Sequence, residues 1–186
     1  MVSADASGGS AWPPIREATE PLDGELVHLR PATPADAQVL TAIIADPSVD
    51  AWWQAPDPAR DVAELLADHE LAIWIIETGG APIGVVMASE EDDPQYRHAG
   101  IDIAIVAAGQ GRGRGRDTVR TVARWLIERR GHHRLTIDPS AANERAIRAY
   151  AAVGFRPVGT MRRYERRRDG SWHDGLLMDL LAGELV

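Results

Sequence analysis

Apolar positions along the chain fall into short runs that predict the strands of a sheet. The runs are bounded by Gly, Pro, Asn, Asp or charged residues, as strands in globular proteins usually are. Gly79-Gly80 separates two of them and favours a hairpin turn. Two longer runs near the end of the chain, joined near Asp169-Gly170, predict a second hairpin. The predicted strands are residues 25–29, 71–77, 82–89, 100–106, 134–137, 155–166 and 172–181.

Helical patterns occupy the segments between these strands. Thr33 and Pro34 are a typical N-cap and first helical residue, and Gly154 lies where a helix-ending glycine is expected. The predicted helices are residues 33–45, 57–67, 117–130 and 143–153. In chain order the elements read β-α-α-β-β-β-α-β-α-β-β. This order predicts an α/β (α+β) fold, with a mixed central sheet and helices on both faces.

Length and composition limit the class of protein. The chain has 186 residues, 45% of them hydrophobic, which suits one globular domain with a substantial core. Residues 1–24 are rich in Ser, Gly, Pro and Glu without periodicity, so we expect a flexible tail followed by a single domain at residues 25–186. No apolar window approaches the ~20 residues of a membrane span. Residues 1–11 lack a signal-peptide pattern, so we expect a soluble cytoplasmic protein that does not bind membranes.

Cysteine and charge counts exclude several chemistries. The chain has no cysteine, which removes disulfides, thiolate metal sites and a cysteine acyl-enzyme, and we predict no metal site. Its net charge is −8, and all of its basic residues are Arg. An acidic surface repels nucleic acid and favours cationic partners. We therefore expect no nucleic-acid partner, and the sequence leaves both a monomer and a homodimer open.

A glycine-rich segment, Gln110-Gly111-Arg112-Gly113-Arg114-Gly115, lies between a predicted strand and a predicted helix. Such a turn presents backbone N–H groups at a helix N-terminus, where the macrodipole is positive and phosphate binds well. The Gln-x-x-Gly-x-Gly spacing resembles the acyl-CoA-binding signature of the GNAT superfamily of N-acetyltransferases. The resemblance implies acetyl-CoA as the cofactor. It also implies a mainly antiparallel sheet that is splayed at the acyl-CoA site.

A second block, Asn-x-x-Ala-x-x-x-Tyr-x-x-x-Gly-Phe, begins at Asn143 and is similar to the second signature of the same superfamily. The resemblance implies that Asn143 binds the cofactor arm and that Tyr150 protonates the departing thiolate. A phenol with a pKa near ~10 and a thiol near ~8.5 make that transfer only mildly uphill. The structural alternatives are a helix N-cap for Asn143 and a packed aromatic for Tyr150. The implied cofactor contacts are Ile105, Val106, Gln110, Gly111, Arg112, Gly113, Arg114, Gly115, Arg116, Asn143 and Tyr150.

The strand before the glycine-rich segment carries a carboxylate between apolar residues. Ile101, Ile103 and Ile105 point to one face, and Asp102 points to the other. A carboxylate in mid-strand is costly unless it is paired or lies in a solvated cleft. Asp102 could therefore hold or deprotonate an acceptor ammonium group. The alternative is a structural salt bridge to an Arg.

Three further segments resemble aminoglycoside 6′-N-acetyltransferases, namely Gly100-Ile101-Asp102, Asp138-Pro139-Ser140 and Trp52-Trp53. In those enzymes the matching Asp residues contact the acceptor or act in catalysis, and the Trp pair lies near the drug site. The resemblance implies a small cationic amine as acceptor, which an acidic cleft attracts. It implies Asp102, Asp138 and Tyr150 as catalytic residues. The expected acceptor contacts are Trp52, Trp53, Glu90, Glu91, Asp102 and Asp138.

Each of these acceptor contacts has a structural alternative. Trp52-Trp53 could fill the space between helices, and Asp138 could cap the turn before Pro139. Residues 90–93 could form a solvated acidic loop.

The resemblance covers most of residues 25–160 and departs at the basic segment 161–168. The acceptor could therefore instead be a protein N-terminus, a polyamine or a small metabolite amine. A non-enzymatic module is the remaining alternative, either an acyl-CoA sensor or an RNA binder that uses Arg162, Arg163 and residues 166–168. The net negative charge argues against RNA.

Overall fold

The computed structural model describes residues 13–186, and an eight-stranded sheet forms its centre. The strands are β1 Leu22–Asp23, β2 His28–Pro31, β3 Leu71–Thr78, β4 Ala81–Glu91, β5 His98–Ile105, β6 Arg134–Ile137, β7 Arg156–Arg166 and β8 Trp172–Leu181. They lie in the order β1-β2-β3-β4-β5-β6-β8-β7. Every neighbouring pair is antiparallel except β5 and β6, which run parallel. The predicted mixed, mainly antiparallel sheet is confirmed.

Five α-helices connect the strands of the described chain. They are α1 Ala37–Ile44, α2 Pro47–Trp53, α3 Pro58–Ala67, α4 Arg114–Glu128 and α5 Glu144–Ala151. The sequence analysis predicted no helix at α2, although its start carries a usable signal. The Asp46 carboxylate accepts a hydrogen bond from the Ser48 N–H at 2.9 Å, and Pro47 is the first helical residue. α4 begins at Arg114, directly after the glycine-rich loop and earlier than the predicted residue 117.

The helices cover both faces of the sheet, as predicted. Ile73 and Ile75 of β3 pack with the side chains of α1, α2 and α3, whereas Trp74 packs with α4 on the opposite face. Trp74 is fully buried and meets Trp125 edge to face, with ring centroids 5.2 Å apart. Because successive strand side chains alternate between faces, a strand that is covered on both sides reads as one continuous apolar run.

Residues 13–24 lie against the domain, although the sequence analysis placed them in a flexible tail. Ile15 is buried, and the Arg16 guanidinium donates to the carbonyl oxygen of Leu66 at 2.8 Å. Leu22 and Asp23 pair with β2. These partners are mostly distant in sequence, so local composition could not reveal them. The domain therefore extends upstream of residue 25, and residues 1–12 lie outside the described residues.

The sheet opens between β5 and β6. These two strands pair only at Ala99–Leu135 and Gly100–Thr136. β5 then continues to Ile105, while β6 ends at Ile137. In the described chain, the backbone of β5 beyond Gly100 has no strand partner on that side. The predicted splay of the sheet is confirmed, and it places a gap beside the glycine-rich loop.

Candidate active site

A cavity of about 1130 Å³ follows the gap between β5 and β6. Most residues that the sequence analysis selected for the cofactor and the acceptor line this one cavity. They are Trp52, Trp53, Asp102, Ile105, Gln110, Gly111, Arg112, Gly113, Gly115, Arg116, Asp138, Asn143 and Tyr150. Val106, Arg114, Glu90 and Glu91 are not among its lining residues.

The glycine-rich loop forms one end of the cavity with an unusual backbone. Gly111, Arg112 and Gly113 all have positive φ, at 76°, 57° and 79°. Only glycine adopts this region without strain, so two of the three positions favour glycine for conformational reasons. The loop delivers the N-terminus of the 15-residue helix α4 to the cavity. First-turn N–H groups lack intrahelical acceptors, and the side chains of Arg112 and Arg116 line the cavity beside them.

Gln110 connects parts of the cavity wall through side-chain hydrogen bonds. Its side-chain amide nitrogen donates to the carbonyl oxygen of Ile105 at 2.7 Å and to the Ser48 hydroxyl at 3.3 Å. Its side-chain oxygen accepts from the Arg145 guanidinium at 2.6 Å. Gln110 therefore joins β5, α2 and α5 around the gap. Ser48 and Arg145 also line the cavity, and the sequence analysis selected neither.

Asn143 and Tyr150 lie on the α5 side of the gap. The Asn143 side-chain oxygen accepts a hydrogen bond from the Ala146 N–H at 3.1 Å, so Asn143 is the N-cap of α5. The cap uses the oxygen, which leaves the amide nitrogen as the donor that can face a ligand in the cavity. Tyr150 is buried, with its ring centroid 6.4 Å from that of Phe155. Asn143 is therefore a helix N-cap and Tyr150 is a packed aromatic, as the structural alternatives stated, and both residues also line the cavity.

Two carboxylates reach the cavity from opposite sides of the splay. Asp102 lies in mid-β5 on the face that α2 covers, and Asp138 follows the end of β6. Burial, together with the nearby negative charge of Asp138, raises the pKa of Asp102 to about 6. Solvent in the cavity reaches the Asp102 side chain, but the surrounding protein atoms exclude most of the water that would otherwise hydrate its carboxylate. Within residues 13–186, no ion pair joins Asp102 to an Arg, so the salt-bridge alternative does not hold.

Tyr164 and Glu165 of β7 also line the cavity, and the sequence analysis did not select them. The pairing of β7 with β8 is irregular between Met161 and Glu165, and Arg163 has a φ of 51°. This bulge turns Tyr164 towards Asp138. A side-chain hydrogen bond to the Asp138 carboxylate, together with partial burial, raises the pKa of Tyr164 to about 12. Nothing in the local sequence pattern marks this bulge.

Trp52 and Trp53 form the end of α2 and line the cavity. Trp53 also packs against the hydrophobic cluster beneath α1 and α3. Trp52 lies under the guanidinium of Arg167, which is 5.9 Å from its ring centroid. The two Trp side chains therefore pack between secondary-structure elements, as the structural alternative proposed, and they also face the cavity.

Glu90, a predicted acceptor contact, lies away from most of the other predicted site residues in this structure. Its side chain is only 4% exposed and lies outside the cavity lining. Its carboxylate bonds the guanidinium of Arg130 at 2.6 Å and the His132 ring at 2.7 Å. Glu91 is exposed at the end of β4, also away from the cavity. Residues 90 and 91 continue the strand rather than forming the predicted acidic loop, because Glu90 finds cationic partners about 40 residues ahead in the chain.

We expect Glu90→Gln to lower the free energy of unfolding by about 3 kcal/mol at pH 7, because a neutral amide replaces the buried carboxylate that bonds Arg130 and His132. Burial alone would raise the pKa of Glu90, but hydrogen bonds from Arg130 and His132 outweigh it and lower the pKa from 4.5 to about 2. The stabilisation is therefore present above pH 4.5 and is lost as the pH falls towards 2. Urea unfolding at several pH values measures this loss. Glu91→Gln is the control, and an equal effect of both variants would contradict the assignment.

Known proteins are similar to this chain in sequence and in fold. Residues 32–163 match the family model described as "Acetyltransferase (GNAT) domain". The aminoglycoside N(6′)-acetyltransferase type 1 of Klebsiella pneumoniae is 31% identical over 155 residues, which cover 73% of this chain and 76% of that protein. The chain therefore belongs to the GNAT family of acetyltransferases.

Solved structures agree with this family. The structure of AAC(6′)-Ib in complex with paromomycin and acetyl-CoA is 27% identical, with a TM-score of 0.69, and the match covers 86% of this chain and 97% of that one. A ribosomal-protein-S5-alanine acetyltransferase from Vibrio fischeri is 18% identical, with a TM-score of 0.74 and coverage of 90% and 99%. The second likeness shows the fold alone.

The family and the site together define the activity. The chain is an acetyl-CoA-dependent N-acetyltransferase, and its cofactor is acetyl-CoA. Across residues 13–186, no group of His, Cys, Asp and Glu side chains is arranged to hold a metal ion. No helix in that part of the chain combines the length and apolarity needed to cross a bilayer.

Proposed function

We propose that this enzyme acetylates the 6′-amine of an aminoglycoside antibiotic and so confers resistance. The observation that carries the proposal is that two neighbouring carboxylates, Asp102 and Asp138, line the same cavity as the aromatic side chains of Trp52 and Trp53. Carboxylates attract a polycationic sugar, and flat aromatic rings pack against the apolar faces of its rings. The 31% identity to a 6′-acetyltransferase supports the same acceptor.

The glycine-rich loop holds the cofactor in this proposal. The backbone N–H groups of Gly111, Gly113 and Gly115 cradle the pyrophosphate at the N-terminus of α4, and Arg112 and Arg116 add positive charge. The unpaired edge of β5 and the amide of Asn143 offer hydrogen bonds to the pantetheine arm. Arg114 and Val106 are not among the cavity-lining residues, so we assign neither a cofactor contact.

Transfer is direct, in a ternary complex, because the chain has no cysteine to carry the acetyl group. Bound acetyl-CoA supplies an acetyl thioester, whose carbonyl carbon accepts the amine and whose sulfur leaves as a thiolate. Asp102 takes the proton that the acceptor nitrogen loses, since a pKa of about 6 leaves it ionised at neutral pH yet basic enough to act. Asp138 holds the cationic acceptor, and the Tyr150 hydroxyl faces the thiolate.

A comparison of neamine with paromamine tests the proposed 6′-amine acceptor directly, because paromamine differs from neamine only in having a hydroxyl in place of that amine. We expect rapid release of CoA thiol with neamine and little with paromamine. We also expect kcat/KM for neamine to exceed that for spermine or an alanine-terminated peptide by at least about tenfold, or ~1.4 kcal/mol. Thiol release with paromamine equal to that with neamine would remove the 6′-amine assignment. A preference for the peptide or spermine would support the alternative acceptors.

A further inference from the structure

The basic hairpin tip has an internal role in this fold. Its Arg167 side chain is only 7% exposed, in contrast to the RNA-binding surface that the sequence analysis left open. Arg168 binds the Asp50 carboxylate of α2 at 2.7 Å and the carbonyl oxygen of Ala55 at 2.8 Å. The tip of the β7–β8 hairpin therefore contacts α2 directly.

Arg167 is at the centre of this contact. One of its terminal nitrogens donates to the carbonyl oxygen of Ala51 at 3.0 Å and, more weakly, to that of Trp52 at 3.4 Å. The other donates to the Ser140 hydroxyl at 3.2 Å and pairs with the Glu165 carboxylate at 3.2 Å. Its guanidinium also covers the Trp52 ring. One side chain therefore joins α2, the turn after β6 and the bulged part of β7.

We propose that Arg167 is a positioning residue for acceptor binding, because it fixes Trp52 of α2 against the turn that carries Asp138 and Ser140. The inference rests on the proposed function only in placing the acceptor between these two elements. Arg167 is not itself among the cavity-lining residues, so it acts through its neighbours.

The short length of α2 and its unpaired terminal carbonyl groups explain why a residue such as Arg167 is needed. The helix has only seven residues, and helices this short are marginal without tertiary contacts. Its last carbonyl groups have no intrahelical donors, and those of Ala51 and Trp52 receive them from Arg167. The planar guanidinium can bond partners on both edges while its face covers an aromatic ring, whereas a lysine ammonium cannot.

The direction of the change in acceptor KM separates positioning from a charge effect. Loss of the cation in Arg167→Gln leaves Glu165 unpaired and makes the cleft more negative, so a pure charge role would lower the KM of a cationic acceptor. Positioning instead raises the acceptor KM roughly tenfold and leaves the KM of acetyl-CoA unchanged. Arg167→Lys keeps the charge and is expected to raise the acceptor KM as well.

Arg166→Gln is the matched control, because Arg166 lies on the same hairpin, is exposed and carries the same charge. It is expected to leave both KM values within about twofold of wild type. The assay uses whichever amine the wild-type enzyme acetylates, so a failure with neamine refutes the proposed acceptor and leaves this test intact. A lowered or unchanged acceptor KM in both Arg167 variants would overturn the inference.

Hydrogen exchange supplies a second readout that needs no acceptor. In Arg167→Lys, which retains the stem and the charge, the amides of residues 49–54 and 140–143 should exchange at least several-fold faster than in wild type. The amides of α4 should be unchanged, since the side-chain hydrogen bonds and ion pair of Arg167 in the described chain go to Ala51, Trp52, Ser140 and Glu165 and not to that helix. Uniform acceleration throughout the domain, or none at α2, would contradict a positioning role.

Discussion

Asp102→Asn is expected to lower kcat/KM by roughly 100- to 10,000-fold, the range by which a positioned general base accelerates proton transfer. Asparagine keeps the size of the side chain and cannot take a proton at neutral pH. The acceptor KM should also rise, because a negative charge that faces the ammonium group is lost. Initial rates of thiol release over a matrix of both substrates measure these constants. Asp92→Asn, in the exposed loop after β4, is the control for loss of one acidic charge.

The pH profile identifies which carboxylate is the base. Because the pKa of Asp102 is raised to about 6, kcat/KM of the wild type should rise with pH through this value. The inflection should disappear in Asp102→Asn. In Asp138→Asn it should move to lower pH, because the charge of Asp138 is one cause of the raised pKa of Asp102. An inflection near pH 6 that persists in Asp102→Asn and vanishes in Asp138→Asn would reverse the two roles.

Stability should respond to Asp102→Asn in the opposite direction from activity. The folded chain binds a proton at Asp102 more tightly than the unfolded chain, whose ordinary Asp pKa is 3.8. The stabilising contribution of that proton is present below pH 3.8 and is lost as the pH rises through about 6. Ionised Asp102 therefore costs stability at pH 7, and the variant should have a higher Tm than wild type. The difference in Tm should disappear below about pH 4.

The position of the glycine-rich loop, Asn143 and Asp102 at one cavity could be predicted because its determinants are local in sequence. Gly111 and Gly113 supply two of the three positive φ angles of the loop at residues 111–113. Asn143 caps its helix by accepting a hydrogen bond from the N–H of the residue three positions ahead. The alternation around Asp102 likewise follows from the pleat of a single strand. The glycine spacing, the N-cap and the strand period each leave a signature within a short window of the sequence.

The rest of the acceptor half depends on contacts between distant residues. Glu90 looked like part of an acidic loop because its partners Arg130 and His132 lie 40 and 42 residues away. In sequence, Arg167 is part of the basic segment 161–168 that could bind RNA, whereas its contacts with α2 in the fold span more than 100 residues. Charge alone does not distinguish a buried pair from a solvated one. Only the fold decides which charges meet, so the roles of acidic and basic runs could not be predicted from composition.

Tyr150→Phe is expected to lower kcat roughly 10- to 100-fold, with little change in either KM. The pKa of Tyr150 is raised above its ordinary value, mainly by burial and further by the charges of Asp102 and Asp138. Its hydroxyl therefore stays protonated throughout the working pH range. Complete proton transfer to a thiolate is also more uphill than for an ordinary phenol. Hydrogen bonding to the thiolate is then its main contribution, worth ~1.5–3 kcal/mol for a charged acceptor.

A cationic acceptor should strengthen this contribution. When an ammonium group binds beside Asp102 and Asp138, it offsets their charge and lowers the pKa of Tyr150 towards its ordinary value. The hydroxyl thus becomes a better donor in the ternary complex than in the free enzyme. Single-turnover rates of thiol release measure the effect, with Tyr96→Phe as the control because Tyr96 is 70% exposed and lies outside the cavity lining. Full turnover by Tyr150→Phe would leave the tyrosine as a packed aromatic beside Phe155 and assign stabilisation of the thiolate to other groups.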